Sequence, residues 1–152
     1  MNHEIYADHA ATAPIEPLAL EAMYTAYQEY ANPAALYRSA LHTKQTVEKA
    51  RLTVAENLGC TPDHIFFTSG GSEADNQALR TAAALGEKRG KRHIVSTKFE
   101  HHAVLHTLQA LEREGFEVTL LDIPPDGVVT AEQVRDAIRP DTCLASVMFA
   151  NN

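Results

Sequence analysis

From residue 64 onward, short apolar runs alternate with segments that are long enough to form helices. The runs are HIFFT (64–68), HIVST (93–97), FEVTLL (116–121) and CLASVMFA (143–150). Strands that are joined through helices usually pair in parallel, and the helices cover both faces of the sheet. The sequence therefore predicts an α/β fold with a mainly parallel sheet of four strands and helices on both faces.

The segments between the apolar runs have the spacing of amphipathic helices. They predict a helix from Ser72 to about Arg89, a second from about Ala103 to Glu114, and a short third one from Ala131. Each predicted helix connects one predicted strand to the next, as the parallel arrangement requires.

The N-terminal part has helical spacing and lacks the short strand-like runs. PLALEAMYTAYQEYA and LYRSALHTKQTVEKARLTVAENLG are typical of two helices, with a break at Asn32 and Pro33 and an end at Gly59. We therefore predict an N-terminal helical segment over 1–60. Residues 61–152 are predicted to form the first half of an α/β domain, because the last strand stops where a further connecting helix would begin.

Composition excludes several classes of protein. Thirteen Lys and Arg against twenty Asp and Glu give a net charge of -7 without a basic cluster, which argues against a nucleic-acid partner. No apolar run approaches the roughly 20 residues that span a bilayer, and MNHEIYADHA lacks the features of a secretion signal. A cytoplasmic protein without membrane association is predicted. The two cysteines, Cys60 and Cys143, have no metal-type spacing and predict no disulfide.

Three predicted loops follow strands at their carboxyl ends, where ligands bind in such sheets: SGGSE, KFEHH and NN. In the first, Ser72 is predicted to cap its helix in a capping box with Asp75, while N–H groups around Gly71 and Ser72 face an anion, most simply a phosphate. A plain turn before a capped helix is the alternative interpretation. The loop is not a P-loop, since the Gly-Lys-Ser/Thr ending is absent.

The second loop is rich in histidine. His102 and His106 would share a helix face, which raises a metal site with Glu100 or His9 as an alternative. The His-Glu-x-x-His arrangement is absent, so we predict no metal. The planar ring of His101 is suited to stack on an aromatic ring held in the site.

A phosphate anchor, a stacking imidazole and a terminal amide together indicate a flat phosphorylated cofactor. Five segments resemble cysteine desulfurases, the pyridoxal-phosphate enzymes of the class V aminotransferase group: YADHAATAP, ANPAALY, FTSGGSEADNQAL, FEHHAVLHTLQALEREGFEV and VMFANN. The resemblance covers essentially the whole chain. It implies the type I pyridoxal-phosphate fold, a homodimer, and conversion of cysteine to alanine with sulfur transfer to an enzyme cysteine, in the service of iron–sulfur cluster assembly.

The resemblance also implies roles for individual residues. Gly71 and Ser72 match the pair that binds the cofactor phosphate, where the family more often has alanine and threonine. His101 matches the histidine that stacks on the pyridine ring and is the implied catalytic residue. Asn152 matches the asparagine that bonds the phenolic oxygen of the cofactor. Several positions depart from the family's usual residues, namely His9, Ala13, Ala34, Ala35 and Tyr37, and these changes leave the choice of substrate open. Tyr37, where the family usually has histidine, is interpreted as a packing aromatic.

The family's cofactor-binding lysine and sulfur-accepting cysteine have no counterpart among these residues. None of the five lysines has the Ser-x-His context, and neither cysteine is predicted to be activated. The resemblance therefore implies the N-terminal part of the enzyme, inactive without a C-terminal half. Pairing with that half, or self-association, is expected to cover the exposed strand edge at 64–68. A related class V lyase or transaminase, such as a selenocysteine lyase, and a non-catalytic binding module remain alternatives.

Overall fold

The computed structural model describes residues 5–9 and 11–151. The chain forms two compact units, Met1–Phe67 and Thr68–Asn152. Within the described residues, no helix is both long and apolar enough to cross a membrane.

The first unit contains two helices, α1 (Pro17–Gln28) and α2 (Arg38–Leu58), followed by a single 3₁₀ turn. Proline stands at the first position of α1, where its missing N–H group costs nothing. The second helix ends at Gly59, whose φ of 69° allows the left-handed cap. Both predicted helices are therefore present.

The predicted strand at 64–68 is wrong. The 3₁₀ turn occupies Pro62–His64, and no strand follows it before α3. The carbonyl oxygen of Ile65 accepts a hydrogen bond from the guanidinium of Arg51, and the same guanidinium lies 4.9 Å from the ring centroid of Phe67. A strand exists only when a neighbour satisfies its backbone groups, and within the described residues this segment bonds to a side chain instead.

The second unit is an α/β sheet with parallel strands, as predicted. Its strands are β1 (His93–Thr97), β2 (Glu117–Leu121) and β3 (Thr142–Ala145), in the order β2-β1-β3, and its helices are α3 (Gly71–Glu87), α4 (His102–Arg113) and α5 (Ala131–Ala137). All five residues of the central strand β1 are buried. Such burial on both sides is what a parallel sheet requires, since helices cover its faces.

The hydrophobic core of this unit fixes α3 and α4 against the sheet. Ile94 on β1 is fully buried and is surrounded by apolar side chains of the two helices, namely Leu79, Ala83, Val104, Leu108 and Leu111. Three of these residues, Val104, Leu108 and Leu111, belong to α4 and are spaced by four and three residues, so they form a single apolar stripe on that helix. Packing of this stripe sets where the first turns of α3 and α4 lie.

A histidine occupies the first position of the buried strand. The ring of His93 is bonded on both sides by threonine hydroxyls, with Nδ1 2.7 Å from Thr142 Oγ1 and Nε2 2.9 Å from Thr119 Oγ1. Burial lowers the pKa of His93, and the nearby Arg139 guanidinium lowers this pKa further. A neutral ring with both nitrogens satisfied is compatible with the sheet interior.

The last strand is shorter than the predicted 143–150. Regular pairing of β3 ends at Ala145, and Ser146 N–H makes one more bond of 2.9 Å to the Val95 carbonyl. Beyond it, Met148 N–H donates to the side chain of Glu100 instead of to the sheet. The apolar run thus continues as a loop along the carboxyl ends of the strands.

Candidate cofactor site

A groove between the first turns of α3 and α4 is lined by Ser72, one of the two predicted phosphate residues, and by His101, the predicted stacking residue. Its volume is about 420 Å³, and its lining includes Ser72 and Asn76 from α3, His101, and His102 and His106 from α4. The structure thus brings Ser72 and His101 together in one groove within the second unit.

The start of α3 differs from the predicted cap. The helix begins at Gly71, with Gly70 as the N-cap residue, so Ser72 is its second residue and does not cap it. The carboxylate of Glu73 accepts hydrogen bonds from the N–H and hydroxyl of Ser69, both at 2.7 Å. These bonds lower the pKa of Glu73. The predicted Ser72–Asp75 box is therefore wrong, because the glycine pair lets the helix begin earlier and Glu73 bonds backwards.

This start leaves Ser72 free for another role. The first N–H groups of a helix have no partner within the helix, and the partial positive charge there favours an anion. A Cβ atom built on Gly70 or Gly71 would meet nothing within 4 Å, so the side-chain positions of both glycines at the helix start are open. Ser72 adds a hydroxyl donor at the same place.

His101 is held by the helix that it precedes. It is the N-cap residue of α4, and its Nδ1 accepts the Ala103 N–H at 3.1 Å. A neutral imidazole whose Nδ1 accepts a bond carries its proton on Nε2. His101 is exposed and lines the groove, so its side chain is accessible to a ligand.

Hydrogen bonds across the groove fix its width. Thr107 of α4 donates through its hydroxyl to Asn76 Oδ1 of α3 at 2.6 Å, and Asn76 Nδ2 donates to the Ser72 carbonyl at 2.8 Å. Further along, Arg80 and Glu114 form an ion pair of 3.1 Å between the helix surfaces. Ser72 is therefore connected to α4 through Asn76.

Sequence reasoning assigned Glu100 only to a metal alternative, but it is a buried residue of the loop before α4. Its side chain is 5% exposed, and its Oε1 accepts the Met148 N–H at 2.6 Å and the Thr97 hydroxyl at 3.4 Å. Burial raises the pKa of Glu100, although these two bonds lower it, and the Asp75 carboxylate adds to the rise. The available signal was a carboxylate three residues after a buried strand; its partner Met148, 48 residues later, was not visible in the sequence.

Asn152, the predicted partner of the phenolic oxygen, lies outside the described residues. Its neighbour Asn151 is described, and its Nδ2 donates to the Phe99 carbonyl at 2.6 Å. The loop that leads to Asn152 is therefore bonded to the loop that leads to His101.

Comparison with known proteins identifies the family to which the chain belongs. The family model for aminotransferase class V matches residues 5–152. The chain belongs to the class V aminotransferase family. A cysteine desulfurase IscS of Clostridium botulinum (strain Kyoto / Type A2) is 48% identical over 100% of the chain, and a putative cysteine desulfurase IscS 1 of Bacillus subtilis (strain 168) is 44% identical over 97%. The chain spans 38% and 39% of the lengths of these relatives.

Solved structures agree with this assignment. A NifS-like protein superposes with a TM-score of 0.87 at 39% identity, over 95% of this chain and 40% of that one. A second structure, SspA in complex with cysteine, has a TM-score of 0.83 at 37% identity, over 93% of this chain and 41% of that one. The predicted resemblance to the N-terminal part of cysteine desulfurases, and the predicted type I fold, are thus confirmed.

The alternative of a metal site depends on a third ligand beside His102 and His106. His102 and His106 share a face of α4, with ring centroids 5.5 Å apart. Over residues 5–9 and 11–151, no group of three or more His, Cys, Asp or Glu side chains is arranged to hold a metal ion. The histidines of α4 therefore form a pair beside the groove.

The environments of the two cysteines and of Lys98 bear on whether these residues could act as nucleophiles. The Cys143 thiol donates to the His93 carbonyl at 3.3 Å, and burial raises the pKa of the thiol, which disfavours the reactive thiolate. Cys60 is exposed just beyond α2. Lys98 forms an ion pair of 2.5 Å with Asp122.

Proposed function

We propose that the chain is the N-terminal part of a pyridoxal-phosphate-dependent cysteine desulfurase and contributes the phosphate and ring-stacking side of the cofactor site. The observation that supports this most directly is the shared groove of Ser72 and His101 in a chain 48% identical to a cysteine desulfurase. The whole protein would convert cysteine to alanine and pass the sulfur to an enzyme cysteine. Iron–sulfur cluster assembly in the cytoplasm is the proposed use of that sulfur.

The donor set of the groove fits this cofactor. A phosphate dianion matches unpaired N–H groups and a hydroxyl at the start of α3, and a flat pyridine ring matches the exposed imidazole of His101. The nearest acidic side chain at the helix start, Glu73, is engaged with Ser69. Bound in this way, the cofactor would act as an electron sink for bonds at the amino-acid Cα.

Each residue of the chain then has a defined task. Gly71 and Ser72 would hold the phosphate, and the partial positive charge of the α3 start would stabilise it. His101 would stack on the ring, with its Nε2–H available to hold or donate a proton near the substrate. Asn152 would donate to the phenolic oxygen. Asn76 would keep Ser72 in place through its bond to the Ser72 carbonyl.

If Ser72 binds the phosphate, Ser72→Ala should weaken the binding of a phosphorylated probe and not that of the unphosphorylated one. The chain would be titrated with deoxypyridoxine phosphate, which lacks the reactive aldehyde, and the amide shifts of Gly71 and Ser72 would be followed by NMR. Loss of one charge-assisted hydrogen bond, worth about 1–2 kcal/mol, is expected to weaken binding roughly tenfold. Binding of deoxypyridoxine without the phosphate is expected to stay unchanged.

Ser39→Ala is the matched control, because Ser39 is the second residue of α2 as Ser72 is of α3. It should leave both titrations unaltered. A probe that shifts amides elsewhere but not at the start of α3 would refute the assignment of the groove.

We also propose that the chain associates, with a complementary C-terminal half or with itself as part of a homo-oligomer. Large apolar side chains are exposed within each unit: Phe66 is 73% exposed in the first, and Val128 and Phe149 are 59% and 105% exposed in the second. Apolar surface of this kind usually marks contact with another chain. Light scattering at micromolar concentration is expected to give a mass above 16.7 kDa, and Phe149→Ser to lower it. A monomeric mass at all concentrations would contradict this proposal.

A further inference from the structure

Glu100 directly precedes the groove residue His101 and is both ionisable and almost completely buried. It is 5% exposed, and charged residues are seldom buried unless a partner compensates them. Among the described residues, no Lys, Arg or His forms an ion pair with it. Its compensation comes instead from the backbone N–H of Met148 and the hydroxyl of Thr97.

These bonds connect two loops at the carboxyl end of the sheet. The first, residues 98–101, leads from β1 to α4, and the second, residues 146–151, continues from β3. Glu100 bonds to Met148 at 2.6 Å, and Asn151 Nδ2 bonds to the Phe99 carbonyl at 2.6 Å. Two neighbouring residues of the first loop, Phe99 and Glu100, thus accept hydrogen bonds from two residues of the second loop.

The two clamped loops end at the proposed ring-binding residues. His101 directly follows Glu100, and Asn152 directly follows Asn151. We infer that Glu100 is a positioning residue, which fixes the spacing between the stacking imidazole and the loop of the terminal amide. This inference rests on the proposed function, because it assigns Glu100 to the ring end of the same cofactor site and not to its phosphate end.

The phosphate end is held by different bonds. Ser72 belongs to α3 and is linked through Asn76 to Thr107, in the second turn of α4. Removing the Glu100 clamp therefore leaves the phosphate anchor intact while the ring end loses its fixed spacing. This difference separates a positioning role from a general contribution to folding.

The experiment compares two probes, inorganic phosphate and deoxypyridoxine phosphate, by NMR titration of the 152-residue chain. The unchanged chain is expected to bind deoxypyridoxine phosphate about fivefold more tightly than inorganic phosphate. This difference is the contribution of one aromatic stacking contact between the probe's ring and His101. Glu100→Ala is expected to remove this increment and to leave the phosphate affinity within about twofold. Glu100→Gln is expected to restore the increment, because its amide oxygen still accepts the Met148 N–H.

The titrations distinguish a failure of the proposed cofactor site from a failure of the proposed role of Glu100. If the unchanged chain shows no difference between the probes, the proposed function fails at the ring site. If the difference exists and survives Glu100→Ala, the inference about Glu100 is overturned. Equal losses for both probes would also overturn it, because they indicate a structural role. Should Glu100→Ala not fold, Glu100→Asp, which keeps the charge but shortens the reach to Met148, is expected to give the same selective loss.

Discussion

Gly86→Ala is expected to lower the free energy of unfolding of the α/β unit by about 2 kcal/mol. A Cβ atom at this position would lie 2.3 Å from Cys143 Cβ and 2.8 Å from Cys143 Sγ. Overpacking of this kind costs up to about 3 kcal/mol, and alanine recovers about 1 kcal/mol through its better helix propensity. Urea unfolding followed by circular dichroism measures the difference.

Gly71→Ala provides the matched control, since the new Cβ lies in the same helix and meets nothing within 4 Å. It should be neutral or slightly stabilising. Cys143→Gly removes both clashing atoms, so the cost of Gly86→Ala in that background is expected to fall to near zero, as a direct contact requires. Equal effects of Gly86→Ala and Gly71→Ala would show that α3 does not approach β3 as closely as the structure has it.

Gly86 also illustrates which features the sequence could predict. The apolar run HIVST predicted the bounds of β1, because a central strand is buried on both faces and every residue contributes to the pattern. The helix α3 was predicted from its spacing, yet the need for glycine at residue 86 depends on Cys143, which lies 57 residues later. Such contacts between distant segments are not visible in local periodicity.

The wrong predictions have the same origin. HIFFT has the composition of a strand, but a strand also needs a paired neighbour, and Ile65 bonds to Arg51 instead. The run 143–150 remains apolar to its end, but Glu100 takes the Met148 N–H and ends the regular pairing. In both cases a single side chain from another segment competes with the sheet for a backbone group.

The candidate site was predicted in part from local chemistry. A glycine pair followed by serine indicated an anion site, and the structure places Ser72 beside His101 in one groove. The cap was assigned to Ser72, because the sequence does not show that Glu73 reaches back to Ser69. The burial of Glu100 was not predicted, since its hydrogen-bond partner Met148 lies 48 residues later in the chain.

The largest expected effect concerns catalysis. In an assay with dithiothreitol, which reduces persulfide sulfur to sulfide, the 152-residue chain alone is expected to release sulfide from cysteine no faster than free pyridoxal phosphate does. Lysine and cysteine nucleophiles are needed for two separate covalent steps. Within the described residues, Lys98 is paired with Asp122, and burial raises the pKa of the Cys143 thiol. Sulfide release above the free-cofactor rate would contradict the proposed division of roles.

In the complementary experiment, these 152 residues replace the matching 38% of the Clostridium botulinum relative, and the resulting full-length protein is assayed. If the chain supplies the phosphate and stacking side of the site, the exchanged protein, assayed with dithiothreitol to reduce the persulfide, is expected to release sulfide at least about a thousandfold faster than free cofactor. In that protein, His101→Ala should lower turnover by roughly 100-fold while the cofactor stays bound, because Gly71 and Ser72 still hold the phosphate. Ser72→Ala should do the reverse, weakening cofactor retention more than turnover at saturating cofactor. Equal effects of the two substitutions on binding and turnover would mean that Ser72 and His101 do not divide the site between anchoring and chemistry.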